Sequence, residues 1–87
     1  MIFEYDPQKS AANLAKHGID FDEAQHMWLD IHRLEVRART QGEPRWVLLA
    51  RLRDRVWAAV FTYRQDRVRI ISVRRARTRE VLLYEND

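Results

Sequence analysis

Seven arginines lie in the last third of the chain, within the stretch TYRQDRVRIISVRRARTRE. A guanidinium is planar and always charged, so it pairs with two phosphate oxygens better than an ammonium does. Only three acids lie nearby in sequence, which leaves an excess of positive charge. The pattern therefore predicts a surface that binds the phosphates of a nucleic acid. Its arginines are Arg64, Arg67, Arg69, Arg74, Arg75, Arg77 and Arg79. Any single one of them could instead pair with Asp66, Glu80 or Glu85 and hold the last helix.

A second polar group lies near the N-terminus, where Lys9, Asn13, Lys16 and His17 have the spacing of one helical face. A histidine titrates near neutrality, so His17 could act as a general acid or base. Its position at the end of a helix also has a structural explanation, because a cation there interacts favourably with the helix dipole and the last carbonyls. On spacing alone the structural explanation is the stronger one.

The sequence lacks the residues that several kinds of functional site need. The chain has no cysteine, and its two glycines belong to no phosphate-binding loop. The histidines at positions 17, 26 and 32 do not have metal-ligand spacing, so we expect neither a metal nor a cofactor. RNA supplies its own nucleophile, the 2′-hydroxyl, so cationic groups and one proton-transfer group are sufficient to cleave it.

The 87 residues predict one domain, covering positions 1–87. Positions 1–43 hold five Lys/Arg and eight Asp/Glu, and positions 44–87 hold eleven Arg and five Asp/Glu, so the charge of +3 is concentrated in the second half. There is no signal segment and no apolar run long enough to span a bilayer, so we expect a cytoplasmic protein with no membrane contact.

Local patterns predict the elements that must position these residues. IFEYD alternates as a short strand, and Asp6, Pro7 and Gly18 mark the cap, start and stop of a helix whose apolar stripe is Ala11, Leu14 and Ala15. A second helix is expected from Asp20 to Asp30, with Phe21, Ala24, Met27 and Trp28 buried. Four strands follow, within 31–39, 46–52, 56–63 and 68–73, with turns at 40–44, 53–55 and 64–66.

The last segment, ARTREVLLYEND, predicts a helix with Ala76, Glu80 and Tyr84 on one face and with Val81 and Leu82 helping to dock it. The expected order is β-α-α-β-β-β-β-α. We therefore predict an α+β fold, an antiparallel sheet with an N-terminal helical hairpin and a C-terminal helix, and with all helices on one side of the sheet.

Two long stretches of the chain, FEYDPQKSAANLAKHGIDFDEA and TYRQDRVRIISVRRARTREVLLYE, resemble the BrnT family. In the first stretch the matching residues are Phe3, Glu4, Tyr5, Asp6, Lys9, Asn13, Lys16, His17, Gly18, Ile19, Phe21, Glu23 and Ala24. In the second they are Arg69, Ile70, Ile71, Ser72, Arg74, Ala76, Glu80 and Tyr84. One departure is Arg51, where members usually have glycine, and we expect it to alter the local turn.

The resemblance implies a RelE-like fold and a metal-independent ribonuclease, the toxin of a type II toxin–antitoxin pair, which cleaves RNA and inhibits translation and growth. It also implies neutralisation by a cognate BrnA-like antitoxin with a ribbon-helix-helix domain, and contact with operator DNA only through that complex. The predicted catalytic residues are His17, Arg64, Arg74, Glu80 and Tyr84, the last two either catalytic or orienting the arginines. The predicted RNA-binding residues are Lys9, Asn13, Lys16, Arg67, Arg69, Arg75 and Arg77.

Two other functions compete with cleavage. The same arginines could belong to a non-catalytic basic module that only binds an acidic antitoxin segment or RNA. The helical pair at 7–29 could also mimic a DNA-binding helix-turn-helix. Its second helix carries Asp20, Asp22, Glu23 and Asp30, however, and a recognition helix facing phosphates should not be acidic.

Overall fold

A computed structural model describes residues 1–39 and 41–86; Asp87 and Thr40, the first residue of the predicted turn at 40–44, lie outside it. The predicted α+β order of elements is confirmed. The elements are β1 (Ile2–Glu4), α1 (Pro7–His17), α2 (Phe21–Ala24), a 3₁₀ segment (Gln25–Leu29), β2 (Leu34–Arg37), β3 (Trp46–Leu52), β4 (Arg55–Arg64), β5 (Arg67–Arg75) and α3 (Thr78–Glu85).

The strands form one sheet in the order β1-β5-β4-β3-β2. The predicted antiparallel meander of β3, β4 and β5 is confirmed, and two-residue turns join its strands. Arg53 and Asp54 have φ of 54° and 63° in the first turn, and Gln65 has φ of 58° in the second. These left-handed conformations match the twist of a tight hairpin. β1 pairs parallel with β5 at the outer edge, over residues Arg67–Arg69 alone.

The predicted limits of α1 are confirmed. Asp6 accepts a hydrogen bond from the Gln8 amide at 2.9 Å, and Gly18 ends the helix with φ of 79°. Asp20 likewise caps the second helix by accepting from the Glu23 amide at 2.8 Å. The α-helical part ends at Ala24, earlier than predicted, and continues as the tighter 3₁₀ segment. The two helical segments nevertheless bury the predicted residues, Phe21, Ala24, Met27 and Trp28.

The prediction that all helices lie on one side of the sheet is wrong. On one face, α2 and the 3₁₀ segment bury Phe21 and Met27 against strand residues that include Phe61. On the other face, Tyr84 of α3 packs with Leu49 and Ala58. Alternate residues of a strand point to opposite faces, so the two sets of strand residues are interleaved. We call the two sides the α1 face and the α3 face.

Two details of the C-terminal half also differ from expectation. β2 begins at Leu34 rather than Ile31, because Asp30 accepts from the His32 amide at 2.9 Å and holds a turn there. Leu82, which was expected to help dock α3, is exposed, whereas Val81 docks the helix as predicted, together with Tyr84. The Tyr84 hydroxyl donates to Asp30, so the C-terminal end of α3 meets the residue that follows the 3₁₀ segment.

Candidate functional site

The buried side of α1 is polar, which reverses the predicted orientation of this helix. Ser10 and Asn13 are buried, whereas Ala11, Leu14 and Ala15 are exposed. The Ser10 hydroxyl accepts from the Phe21 amide at 2.9 Å and so ties the two helical segments together. The supposed apolar stripe therefore faces outward, and the helix is held to the fold by hydrogen bonds.

Asn13 takes the place of a strand partner for β5. Its side-chain amide donates to the Val73 carbonyl at 2.9 Å and to the Ile19 carbonyl at 2.8 Å. Its side-chain oxygen accepts from the Val73 amide at 3.1 Å. β1 covers only the first three residues of β5, so Asn13 satisfies backbone groups on the uncovered part of that edge. Both of its amide hydrogens are used, which leaves Asn13 none to donate to RNA.

The other three residues of the predicted polar face remain accessible. Lys9 and Lys16 are exposed, and His17 is half-buried at the last turn of α1. The Gly18 amide closes that turn on the Leu14 carbonyl at 2.9 Å. Within residues 1–39 and 41–86, no hydrogen bond or ion pair joins the His17 imidazole to another group. The expected bond from His17 to the last helical carbonyls is absent from that part of the chain.

The end of α1 lies beside the end of β5. His17 follows Asn13 by one helical turn, about 6 Å along the axis, and Arg75 follows Val73 by two residues, about 7 Å along the strand. Val73 belongs to the core of the α1 face, and Arg75 pairs with Trp57 of the same core. Arg75 therefore points to the α1 face, the side that α2 and the 3₁₀ segment cover, and it is exposed.

Arg74 points to the opposite face and is held by Glu80. Its two terminal nitrogens donate to the two Glu80 oxygens at 2.7 and 3.1 Å. The side chains are 26% and 20% exposed, so the pair is shielded from solvent. Glu80 also accepts from the Arg77 amide at 2.8 Å and so satisfies one of the free backbone N–H groups at the start of α3. The hydrogen bond from Arg74 holds the pKa of Glu80 below its usual value despite partial burial.

Tyr84 is engaged at the other end of α3. Its hydroxyl donates to Asp30 at 2.5 Å, and the same carboxylate accepts from the Arg51 amide at 2.8 Å. Partial burial raises the pKa of Asp30, but the hydrogen bonds from Arg51, Tyr84 and His32 outweigh it and leave that pKa lowered. The Arg51 guanidinium lies 5.8 Å from the centre of the Tyr84 ring. Arg51 lies inside β3, before the turn at Arg53 and Asp54 that it was expected to alter.

The structure separates Arg64 from the end of β5 that carries Arg74. Arg64 pairs with Arg67 at the β4–β5 turn, which we call the hairpin tip. Seven residues of extended strand separate Arg67 from Arg74, a distance of about 23 Å. The two predicted phosphate clamps therefore do not meet in one small site. Near the tip, Arg64 pairs with Glu43 at 3.2 Å, and Arg69 lies 3.9 Å from Glu4.

A feature that sequence reasoning did not identify lies on the α1 face near the hairpin tip. The Tyr63 hydroxyl donates to Glu35 at 2.5 Å, across the intervening strand β3. Burial, together with this hydrogen bond, raises the pKa of Tyr63 to about 12. A weak signal was present, since Tyr63 adjoins the arginine-rich stretch and Glu35 lies among the alternating residues of β2.

Two general properties concern the described part of the chain. Among residues 1–39 and 41–86, no three His, Asp or Glu side chains are grouped so that they could hold a metal ion. Within the same residues, no helix is both long and apolar enough to cross a bilayer.

Comparison with protein families gives one match. Residues 5–80 match the model of a family described as "Ribonuclease toxin, BrnT, of type II toxin-antitoxin system". The match covers most of the 87 residues. The chain belongs to the BrnT family. It is accordingly a type II ribonuclease toxin, with RNA as its target and a cognate antitoxin as its partner. A search of curated proteins gives no match.

Many of the residues that carry the BrnT resemblance have structural roles in this fold. Asp6 and Gly18 bound α1, and Asn13 holds it to β5. Glu23 pairs with Arg53, and Arg74 with Glu80. Three basic BrnT motif residues, Lys9, Lys16 and His17, have no such contact within residues 1–39 and 41–86. Two of these three, Lys16 and His17, lie together at the end of α1 beside the end of β5.

Proposed function

We propose that this BrnT protein is a metal-independent endoribonuclease whose chemistry takes place where α1 ends beside the end of β5. His17 is the group that exchanges protons with the reacting oxygens. Arg75 and Arg77 bind the phosphate, and Lys16 positions the RNA. The single observation that supports the proposal is the hydrogen bonding of Asn13 to Val73, because it holds α1, one turn before His17, against β5 two residues before the exposed Arg75.

The reaction uses a nucleophile that belongs to the substrate. The 2′-oxygen of a ribose attacks the neighbouring phosphorus, the bond from phosphorus to the 5′-oxygen breaks, and the products are a 2′,3′-cyclic phosphate and a 5′-hydroxyl. A proton leaves the 2′-hydroxyl, and another is delivered to the 5′-oxygen. A positioned acid or base contributes about 10²–10⁴-fold to such a reaction. Arginines stabilise the extra negative charge on the phosphate in the transition state.

Glu80 and Tyr84 act on the site through other residues in this proposal. Glu80 holds the guanidinium of Arg74 and the start of α3, which fixes the segment that carries Arg77. Tyr84 fixes the far end of α3 on Asp30. This is the orienting role, one of the two alternatives that the sequence left open for them. Arg74 supports the strand end by the same pairing and leaves direct phosphate contact to Arg75.

The remaining predicted RNA contacts belong to binding rather than to chemistry. Arg64, Arg67 and Arg69 lie near the hairpin tip and add positive charge there, as Lys9 does on α1. Charges of this kind attract an RNA strand and make its affinity fall as salt rises. We assign these residues to the RNA path away from the reacting phosphate, and we assign Asn13 to the fold.

The biological part of the proposal follows the family. Cleavage of cellular RNA inhibits translation and growth in the cytoplasm. A ribbon-helix-helix antitoxin neutralises the toxin, and operator DNA is contacted only through the toxin–antitoxin complex. Co-expression with the product of a neighbouring reading frame tests this part, since growth arrest should appear with the toxin alone and disappear with the pair.

Cleavage by the purified chain in EDTA tests the chemical part. A 2′,3′-cyclic phosphate product in EDTA is the expected result, and it should form equally after Mg²⁺ is added back. An absolute requirement for Mg²⁺ would contradict the mechanism. RNA binding that is steep in salt, without cleavage of varied RNAs or of ribosome-bound RNA, would favour the non-catalytic binding module.

A further inference from the structure

An open cleft lies on the α1 face near the hairpin tip, away from the His17 end. Its lining includes Trp28, Arg33, Glu35 and Tyr63. Tyr63 is level with Val68 on β5, five residues and about 17 Å from Val73. Neither the family assignment nor the proposed chemistry gives this cleft a role.

The aromatic ring in the cleft is both accessible and fixed. Tyr63 is 43% exposed. Its ring makes edge contacts with Trp46 at 5.0 Å and with Phe61 at 5.3 Å between ring centres. Its hydroxyl is bound to Glu35, so rotation of the side chain is restricted from both ends. A rigid exposed ring offers a stacking surface at a low cost in conformational entropy.

The polar groups around this ring are a carboxylate and a guanidinium. Oε1 of Glu35 accepts from Tyr63, and Oε2 takes part in no hydrogen bond within residues 1–39 and 41–86. Arg33 lines the same cleft and is exposed. Nearby, the Arg37 guanidinium lies 5.2 Å from the centre of the Trp46 ring. An aromatic surface beside a hydrogen-bond acceptor and a cation is the set of groups that recognises an unpaired RNA base.

We propose that this cleft binds one unpaired base of the RNA, stacked on Tyr63, with Glu35 accepting a hydrogen bond from the base's amino group. The proposal rests on the proposed function in taking RNA as the ligand. Arg33, which lines the same cleft, faces the backbone of the bound nucleotide. Because Tyr63, on which the base stacks, is level with a position about 17 Å along β5 from Val73, the bound base belongs to a nucleotide away from the cleaved bond.

The carboxylate distinguishes a base from an acidic peptide as the occupant. Glu35 would repel a carboxylate-rich segment, whereas it accepts from the amino groups of adenine, cytosine and guanine. Uracil has no amino group. The cleft is therefore expected to prefer the three amino-bearing bases over uracil.

Binding of 2′-O-methylated octanucleotides tests the proposal, because these strands cannot be cleaved through the 2′-oxygen. Fluorescence polarisation with labelled A₈, C₈ and U₈ measures affinity for the purified full chain. Base stacking contributes about 1–3 kcal/mol, so Tyr63→Leu should weaken binding of A₈ by roughly tenfold or more. Tyr63→Phe keeps the ring and should stay within about threefold of the parent. Glu35→Gln should bring the affinities for A₈ and U₈ together.

Three controls separate this proposal from the others. Leu29→Ala changes an exposed apolar residue that does not line the cleft and should bind as the parent does. Tyr63→Leu should keep the parent's cleavage rate at saturating enzyme, so loss of base binding and loss of cleavage are distinguishable. Urea unfolding of each variant shows whether a weaker affinity reflects a weaker fold.

Any of three results would contradict the proposed base-binding site. They are absence of A₈ binding by the parent chain, unchanged A₈ affinity in a folded Tyr63→Leu, and equal A₈ and U₈ affinities in the parent. If an acidic peptide displaces A₈ and this displacement requires Tyr63, the cleft binds a protein partner instead.

Discussion

Asn13 and Val73 are joined by a pair of hydrogen bonds, in which the asparagine side chain donates to the backbone carbonyl at 2.9 Å and accepts from the backbone amide at 3.1 Å. The two residues are sixty positions apart in sequence. Their pairing completes the edge of β5 beyond β1 and fixes α1 against the sheet. In the proposed mechanism the same contact holds the helix that carries His17 against the strand that carries Arg75, so the stability of the fold and the proposed chemistry share one anchor.

Replacement of Asn13 tests this anchor. Asn13→Ala leaves the Ile19 carbonyl and both Val73 backbone groups without a partner in a buried region, which should lower the free energy of unfolding by about 2–4 kcal/mol. Urea denaturation followed by circular dichroism measures the change. Lys9→Ala, on the exposed side of the same helix, should stay within about 0.5 kcal/mol of the parent. An equally small effect of Asn13→Ala would show that the bonds to Val73 do not hold α1.

The Tyr84–Asp30 contact should make stability depend on acidic pH. Asp30 and Glu80 both have lowered pKa values, so each stabilises the fold fully above its unfolded pKa, and the contribution is lost as pH falls through the folded pKa. We expect the free energy of unfolding to decrease from about pH 5 to pH 2. Asp30→Asn should flatten this decrease, and Tyr84→Phe should cost about 1–2 kcal/mol at pH 7. The prediction fails if Asp30→Asn has the parent's pH profile.

The Arg74–Glu80 pair is expected to stabilise the fold more than an exposed ion pair does, since both side chains are mostly shielded. A double-mutant cycle with Arg74→Met and Glu80→Gln should give a coupling free energy of about 1–2 kcal/mol. Arg79→Ala, a change to an exposed arginine of the same helix, is the matched control and should have little effect. A coupling near zero would remove the orienting role that we assign to Glu80.

Titration of the tyrosine hydroxyls at alkaline pH tests the hydrogen bond from Tyr63 to Glu35. The absorbance of phenolate near 295 nm should show a step near pH 12, because the pKa of Tyr63 is raised to about 12. Tyr63→Phe should remove that step, and Glu35→Gln should shift it to lower pH. A raised tyrosine pKa stabilises the fold below about pH 10, and this contribution is lost as pH rises through 12. Absence of a step near pH 12 would contradict the contact.

The limits of α1 and the order of the strands along the chain were predictable, because they follow from local chemistry. Asp6 and Gly18 occupy positions where a capping side chain and a left-handed residue are required, and the structure confirms both. The buried side of α1 was predicted wrongly because Asn13 looks like a surface residue by polarity. The backbone groups of its partner Val73 lack a neighbouring strand only because β1 stops at Glu4, and no local pattern reveals that.

Some features of the candidate site were likewise predictable from the sequence, and others were not. That Glu80 would orient an arginine was among the predicted alternatives, since Arg74 and Glu80 lie six residues apart across the start of α3. The separation of Arg64 from Arg74 was predictable, because the predicted turn at 64–66 and strand at 68–73 put the two arginines at opposite ends of that strand. The contact between Tyr63 and Glu35 joins β4 to β2 across β3, so it depends on the complete order of the sheet.

The most direct test of the proposed site is the rate of RNA cleavage by His17→Ala compared with that by Arg64→Ala, measured under single turnover with saturating enzyme. The mechanism predicts that His17→Ala loses about 10²-fold or more of the rate while remaining folded, because a proton-transfer group is removed. Arg64→Ala should keep the parent's saturating rate and need more enzyme to reach it. A normal rate for folded His17→Ala, together with loss of the saturating rate in Arg64→Ala, would contradict the account and move the chemistry to the hairpin tip.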